Sequence, residues 1–338
     1  MTTPAAELKA APSTAAANVT PRATRRGAAR AAGGSLSERA FLLFLLGPGV
    51  VLLCAVVLYP LVRSLVSAFF DESLLVPGMT FVGFDNVVDV LSNEFLPLVG
   101  QTLIFTVGST AFPFVIGLAL ALVLNQSFRG QRLLRGLFLI PWLIPGVVVS
   151  FLWMWIFDAN YGVLNGILMT SGMIDQPIAW LFSTDTARAA LIVAKTWNSF
   201  PWIMVMLLAG LQTVPGELHE AAEMDGAGPI RRFFAVTWPH ISGVAGLVVL
   251  LELIWNFQHF DMIFVLTGGG PAGTTATFAT EVYDTAFKGY DLGHAGALGL
   301  LWMILLSVLV VIYVSFSERG ERDERSPRAM RTRKKVTR

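Results

Sequence analysis

The chain has 338 residues, of which 54% are hydrophobic and 14% charged, and its mean hydropathy is +0.65. Soluble domains carry about 25% charged residues, so this is the composition of a membrane protein. The formal net charge of +1 hides a segregation of basic and acidic residues along the chain, and no nucleic-acid partner is expected; the single cysteine, Cys54, inside an apolar run excludes internal disulfides and cysteine-based metal clusters.

Residues 1–38 are rich in Ala, Pro, Thr and Arg without apolar periodicity, and are expected to form a disordered cytoplasmic tail. The apolar run that follows is too long for a cleaved leader and is expected to be a retained membrane helix. Six stretches suffice to cross about 30 Å of hydrocarbon. They are Ala40 to Val62, Leu98 to Leu124, Leu137 to Phe157, Ala189 to Leu211, Ile241 to Leu266 and His294 to Phe316. Prolines within or beside them, among them Pro113, Pro141, Pro145 and Pro201, predict kinks. The expected fold is an all-α bundle of six transmembrane helices over residues 39–316, with a basic cytoplasmic tail at 317–338. No repeat at a fixed period is visible.

Twenty of the 24 basic residues lie in the two tails and in the loops at 125–136 and 212–240. The alternate loops hold Arg63, Arg188 and Lys288, and Lys195 falls inside the fourth helix. Basic residues stay on the cytoplasmic side, so both termini are expected there, in a multi-pass protein of a prokaryotic cell membrane. The C-terminal cluster of Arg331, Arg333, Lys334 and Lys335 suits anionic lipid headgroups.

The loop 212–240 is the most ordered of the connectors by its sequence. Pro215 and Glu217 suit a helix start, and Gly226, Gly228 and Pro229 break that helix. A second short helix then carries Ile230, Phe233 and Phe234 towards Pro239, giving a helix–turn–helix in which small residues admit a partner closely. The residues Glu220, Ala221, Ala222, Asp225, Gly226 and Ala227 with Pro239 resemble the EAA loop of ABC importer permeases. In that family the loop forms the coupling helix that docks on the ATPase subunit. Trp238 and Gly243 stand where the family usually has Leu and Pro.

Trp255 to Pro271 (WNFQHFDMIFVLTGGGP), with Thr274, Thr275, Tyr283 and Phe287, resembles the carbohydrate branch of these permeases, which includes maltose-, trehalose- and glycerol-phosphate-type importers. With Trp197 and Pro201 the likeness extends over residues 40–316, and it is strongest to the larger maltose-type subunit. The resemblance implies a second homologous permease subunit, two ATPase subunits that bind ATP and Mg, an extracellular solute-binding protein or lipoprotein, and a sugar as cargo. The chain itself has no Gly-Lys-Ser/Thr after a glycine loop, so no cofactor and no catalytic residue is expected in it.

Polar residues inside membrane helices are costly and mark function. Lys195, Asn198, Ser199 and Trp202 follow helical spacing in the fourth helix, and Glu252, Trp255, Asn256 and His259 repeat it in the fifth. Each set forms one stripe, at overlapping depth. Hydroxyls of a sugar pair with Asn, Glu, His and Lys while its apolar faces rest on Trp. By the resemblance, these positions correspond to the sugar site of the maltose-type subunit, with Lys195 and Glu252 charged where that relative is neutral. The other reading of these two is an ion pair within a packed bundle. A proton-coupled transporter relaying through Glu252, His259 and Asp261 is the alternative function; a membrane-embedded enzyme lacks any motif.

Overall fold

The computed structural model describes residues 38–324; the expectations for residues 1–37 and 325–338 lie outside them. The contacts divide the chain into one unit ending at Cys54 and a second from Ala55 onward. In the first, α1 spans Glu38–Leu53, apolar throughout its middle and with Pro48 inside.

The described residues of the second unit form helices, their connecting loops and one hairpin. A wider helical turn, Cys54–Leu58, leads to α2 (Tyr59–Ser67). Strands β1 (Phe70–Glu72) and β2 (Met79–Phe81) pair antiparallel with Phe70 opposite Phe81. There follow α3 (Asp85–Asn93), α4 (Phe95–Leu124), α5 (Gln131–Leu143), α6 (Gly146–Ile156), α7 (Val163–Thr170) and α8 (Ala187–Leu211). The connecting loop holds α9 (Gly216–Met224) and α10 (Pro229–Arg232), and α10 runs through a wider turn, Phe233–Thr237, into α11 (Trp238–Phe257). The remaining helices are α12 (Asp261–Leu266), α13 (Phe278–Tyr283) and α14 (Leu292–Glu324).

Among the described residues, five helical stretches are long and apolar enough to cross a membrane: Phe41–Ser67, Phe95–Leu124, Ala187–Leu211, Pro229–Phe257 and Leu292–Ser315. The expected third span, Leu137 to Phe157, is not one helix. It is the pair α5 and α6, bent by 93°, and makes a sixth span only if the two halves count as one. Pro145 is the cause: its ring forces Ile144 into the extended conformation (φ −78°, ψ 131°). The expected fifth span is also redrawn. It begins earlier, because α10 and α11 are continuous, and it stops at Phe257. Gln258, His259 and Phe260 leave the helix before Asp261 restarts it as α12.

Three apolar clusters hold the second unit together. The first joins Phe105 of α4, Val149 of α6, Leu191 and Ala194 of α8, and Met262 and Ile263 of α12. The second joins Ala121 and Leu124 of α4, Ile203 to Leu211 of α8, and Ile241, Ala245 and Val248 of α11. The third packs α13 and α14 on α3 and on Ala68 after α2 through Val90, Phe278, Ala297 and Leu298. Outward, the long helices show Leu, Val, Ile and Phe, as surfaces that face lipid or another subunit do.

Close helix approach is made by glycine. A Cβ at Gly296 of α14 would come 2.7 Å from the carbonyl oxygen of Ser64 and 2.8 Å from the amide nitrogen of Ala68. Backbone cannot yield as a side chain can. Gly296→Leu is therefore expected to force α14 off α2 and destabilise the protein by about 1–3 kcal/mol, as overpacking does. Thermal unfolding in detergent checks this; Gly299, whose Cβ would meet open space, provides the silent control as Gly299→Ala.

Candidate functional site

Between the first two apolar clusters the same three helices carry polar side chains. Along α4 the clusters meet at Phe105 and Ala121, along α8 at Ala194 and Ile203, and on α11 the second cluster ends at Val248. In those intervals lie Thr106, Ser109 and Thr110, then Lys195 and Ser199, then Glu252 and Asn256, all buried. The result is a polar layer across a bundle that is apolar on either side of it.

Hydrogen bonds knit this layer. The Trp202 indole N–H donates to Glu252 Oε1 at 2.6 Å. Asn256 Nδ2 donates to the Ser109 carbonyl at 3.0 Å, the Thr110 hydroxyl at 3.1 Å and Glu252 Oε2 at 3.1 Å, two N–H groups shared among three acceptors. Both Glu252 oxygens are thereby occupied, and α4, α8 and α11 are tied at one level. The rings of Trp202 and Trp255 lie 5.2 Å apart, and Trp255 is 45% exposed, so an aromatic edge borders the network on the open side.

The other stripe residues have separate surroundings. Asn198 Nδ2 donates to the carbonyl of Pro141 at 2.9 Å. In a helix that carbonyl would accept from residue 145, which is proline and has no N–H. Asn198 thus satisfies the group that the α5–α6 bend orphans. Ser199 is buried against the bundle. His259 lies beyond the C-terminus of α11, not on its stripe; its ring stacks on Phe105 (centroids 6.1 Å, 17° between planes) and its Nε2 has no partner. Lys195, 8% exposed, forms no direct ion pair with Glu252.

The α4 contribution was absent from the sequence reading. Thr102, Thr106, Ser109 and Thr110 fall at i, i+4, i+7 and i+8, the spacing of one helix face. The stripe argument applied to α8 and α11 picks them out equally well, since each hydroxyl sits in an otherwise apolar run.

The loop residues stand apart from this layer, joined to it through α8 and α11. The α9 helix ends in a Schellman turn: Ala227 N–H donates to the Ala222 carbonyl and Gly226 N–H to that of Glu223, both at 2.9 Å. Gly226 takes φ +73°, the left-handed conformation that glycine adopts without strain. Glu220, Ala221, Asp225 and Gly226 are exposed, and Ala222 and Ala227 half-buried. Glu223 pairs with Arg232 across the turn, fixing α9 against α10. Met224 (88% exposed), Ile230 (77%) and Phe234 (63%) add an apolar fringe. Trp238 packs its ring on Phe233 at 6.1 Å where the chain turns into α11.

Removing either donor to Glu252 leaves a buried carboxylate under-satisfied. Asn256→Leu and Trp202→Phe are each expected to cost about 1–3 kcal/mol in thermal unfolding of the detergent-solubilised protein. Because both feed one carboxylate, the double variant should depart from additivity; a strictly additive cycle would show that the two bonds act separately.

Comparison with known proteins places this architecture. Residues 114–322 match the family described as binding-protein-dependent transport system inner membrane component. The chain is 34% identical to the sulfoquinovosyl glycerol transport permease SmoG of Agrobacterium fabrum, over 78% of this chain and 85% of that protein. It is 34% identical to the trehalose/maltose transport permease MalF of Thermococcus litoralis, over 74% and 83%. It is 33% identical to the inner membrane ABC transporter permease YcjO of Escherichia coli, over 78% and 89%. A crystal structure of a bacterial ABC transporter that imports the acidic polysaccharide alginate contains a chain of the same fold, with TM-score 0.73 and 22% identity, covering 83% of this chain and 96% of that one. The chain belongs to the binding-protein-dependent transport system inner membrane components, the multi-pass permease subunits of ABC importers.

Proposed function

We propose that this permease forms half of the translocation path of an ATP-driven sugar importer, with the polar layer of α4, α8 and α11 as its sugar site. The carrying observation is one of connectivity. The α9–α10 knob is joined to α8 at one end and to α11 at the other, so two of the three helices that hold the polar layer are those the knob moves. Three curated relatives have sugar or sugar-derivative cargoes in their names: sulfoquinovosyl glycerol, trehalose/maltose and galactooligosaccharides.

In this reading both termini and the 212–240 loop face the cytoplasm, as the segregation of basic residues supports. The bent α5–α6 pair counts as the sixth span. Two ATPase subunits, supplied with ATP and Mg, grip this knob and that of a second, homologous permease, and a solute-binding protein delivers the sugar outside. Glu220 and Asp225 offer charge to the ATPase, while Ala221, Ala222, Gly226 and Ala227 allow close approach. Trp202 and Trp255 stack on the ring faces, and Glu252 and Asn256 exchange part of their network for sugar hydroxyls. Asn198 acts on the elbow and not on the cargo. Membership of the importer family leaves the proton relay through Glu252, His259 and Asp261 without support.

ATP-dependent sugar uptake by the reconstituted transporter tests this. Gly226→Leu places a side chain in the left-handed region at a cost of about 1–2 kcal/mol and alters the docking turn. It is expected, like Glu220→Lys, to abolish uptake and uncouple ATP hydrolysis while the chain still inserts. Trp255→Ala should lower uptake about tenfold or more with the ATPases still bound. Wild-type uptake in all three variants would remove both roles.

A further inference from the structure

Away from the polar layer, at the end of the bundle opposite the knob, one imidazole ring meets two carboxylates. His294 lies in the first turn of α14, with its side chain 15% exposed. Its Nε2 is 3.3 Å from Oε2 of Glu94, the residue between α3 and α4, and its Nδ1 is 3.6 Å from Oδ2 of Asp89 on α3. The ring thus joins the start of α14 to two other helices, beside the packing of Val90 on Ala297 and Leu298. The backbone of the same residue is held separately, its N–H donating to Asp291 Oδ1 at 2.8 Å.

A neutral imidazole has one N–H and one lone pair, whereas an imidazolium has two N–H groups. With a carboxylate facing each nitrogen, the neutral ring turns its lone pair on one of them in either tautomer. The protonated ring meets both with a donor and a positive charge. Imidazole is also the side chain that changes charge between about pH 5 and 8.

Other charged groups on the elements packed against α14 have their own partners or lie exposed. Lys288 pairs with Asp284 at 2.6 Å, Arg63 of α2 with Glu72 of β1, and Glu252 of α11 is bound by Trp202 and Asn256. Asp71 of β1 and Asp85 of α3 are exposed. Glu281 of α13 remains, half-buried; burial first, then the nearby Glu94 and Asp284, raise its carboxyl above the ordinary value. A group raised in this way favours the folded state in acid, and that contribution is lost as pH rises through its folded value. Glu281 therefore acts in the same direction as the charging of His294.

We propose that His294 is a proton-operated clip: protonated, it binds Asp89 and Glu94 together and holds α3, α4 and α14 at this end; without the proton, it releases one of the two. In the topology proposed above this end faces outside, so external acidity sets how firmly the outer end of the permease is held.

Thermal unfolding of the full chain in detergent from pH 5.5 to 8.5 tests the clip, with amide exchange, corrected for its intrinsic dependence on pH, to localise it. The wild type is expected to lose about 2–4 °C in Tm as pH rises across this range, with protection falling at residues 86–98 and 292–298. His294→Gln, which keeps one N–H donor and does not titrate, should remove most of that loss. Glu94→Gln, which keeps an acceptor without the charge, should at least halve it, and decides the matter if His294→Gln does not fold. A wild-type Tm that does not fall, a fall of full size in either variant, or protection lost elsewhere than in these two segments overturns the clip. No uptake is measured, so failure of the clip leaves the sugar-importer reading standing, and failure of that reading leaves the clip.

Discussion

The Glu252 carboxylate, held between the Trp202 indole and the Asn256 amide, sets the constraint on which the rest of this bundle depends. A buried carboxylate tolerates little change in its donors, and these come from two helices, while Asn256 also reaches the Ser109 carbonyl and Thr110 hydroxyl of a third. Apolar packing alone allows helices to slide by small amounts, because dispersion is not directional. A directional network at one level fixes their relative height. The apolar clusters on either side then supply most of the buried area and keep water from the network.

From that fixed level, structure extends in two directions. Towards the loop, α8 and α11 pack through Leu207, Leu211, Ile241 and Ala245 down to the α9–α10 turn, whose Glu223–Arg232 pair and Schellman geometry make it a rigid knob instead of a slack connector. Away from it, α12 and α6 close over His259 and Phe105. In the function proposed above, a push on the knob is passed along these two helices to groups that trade hydrogen bonds, as packed layers with two discrete arrangements do.

Much of this was legible in the sequence. Hydropathy located the spans of α4 and α8 and the span Leu292–Ser315 within α14 to within a few residues, because a membrane span is a property of a run and survives local detail. Helical spacing put Glu252, Trp255 and Asn256 on one face of α11 and Trp202 on one face of α8, because i, i+3, i+4 and i+7 share a face wherever the helix lies. The bend at Pro145 and the break at Gln258–Phe260 were beyond that reach. Whether a proline kinks a helix mildly or turns it by 93° depends on what accepts the freed groups, and here the donor to Pro141 is Asn198, in a different helix. His259 lost its place on the stripe for a related reason: spacing counts residues only while the helix continues. The hydroxyls of α4 were visible as spacing, but Ser and Thr are common in membrane helices and name no partner by themselves.

The link between Asn198 and Pro141 makes two distant positions answer for one carbonyl. While residue 145 is proline, the Asn198 Nδ2 group is taken up by the Pro141 carbonyl, although it lies on the same helical stripe as Lys195 and Trp202. A relative with an N–H-bearing residue at 145 would close its own helical bond there, straighten the elbow and release position 198 to face the cargo. On the proposed sugar-site reading, shape and selectivity are thus exchanged between positions 145 and 198, and a change far from the cargo adds or withdraws one of its hydrogen bonds.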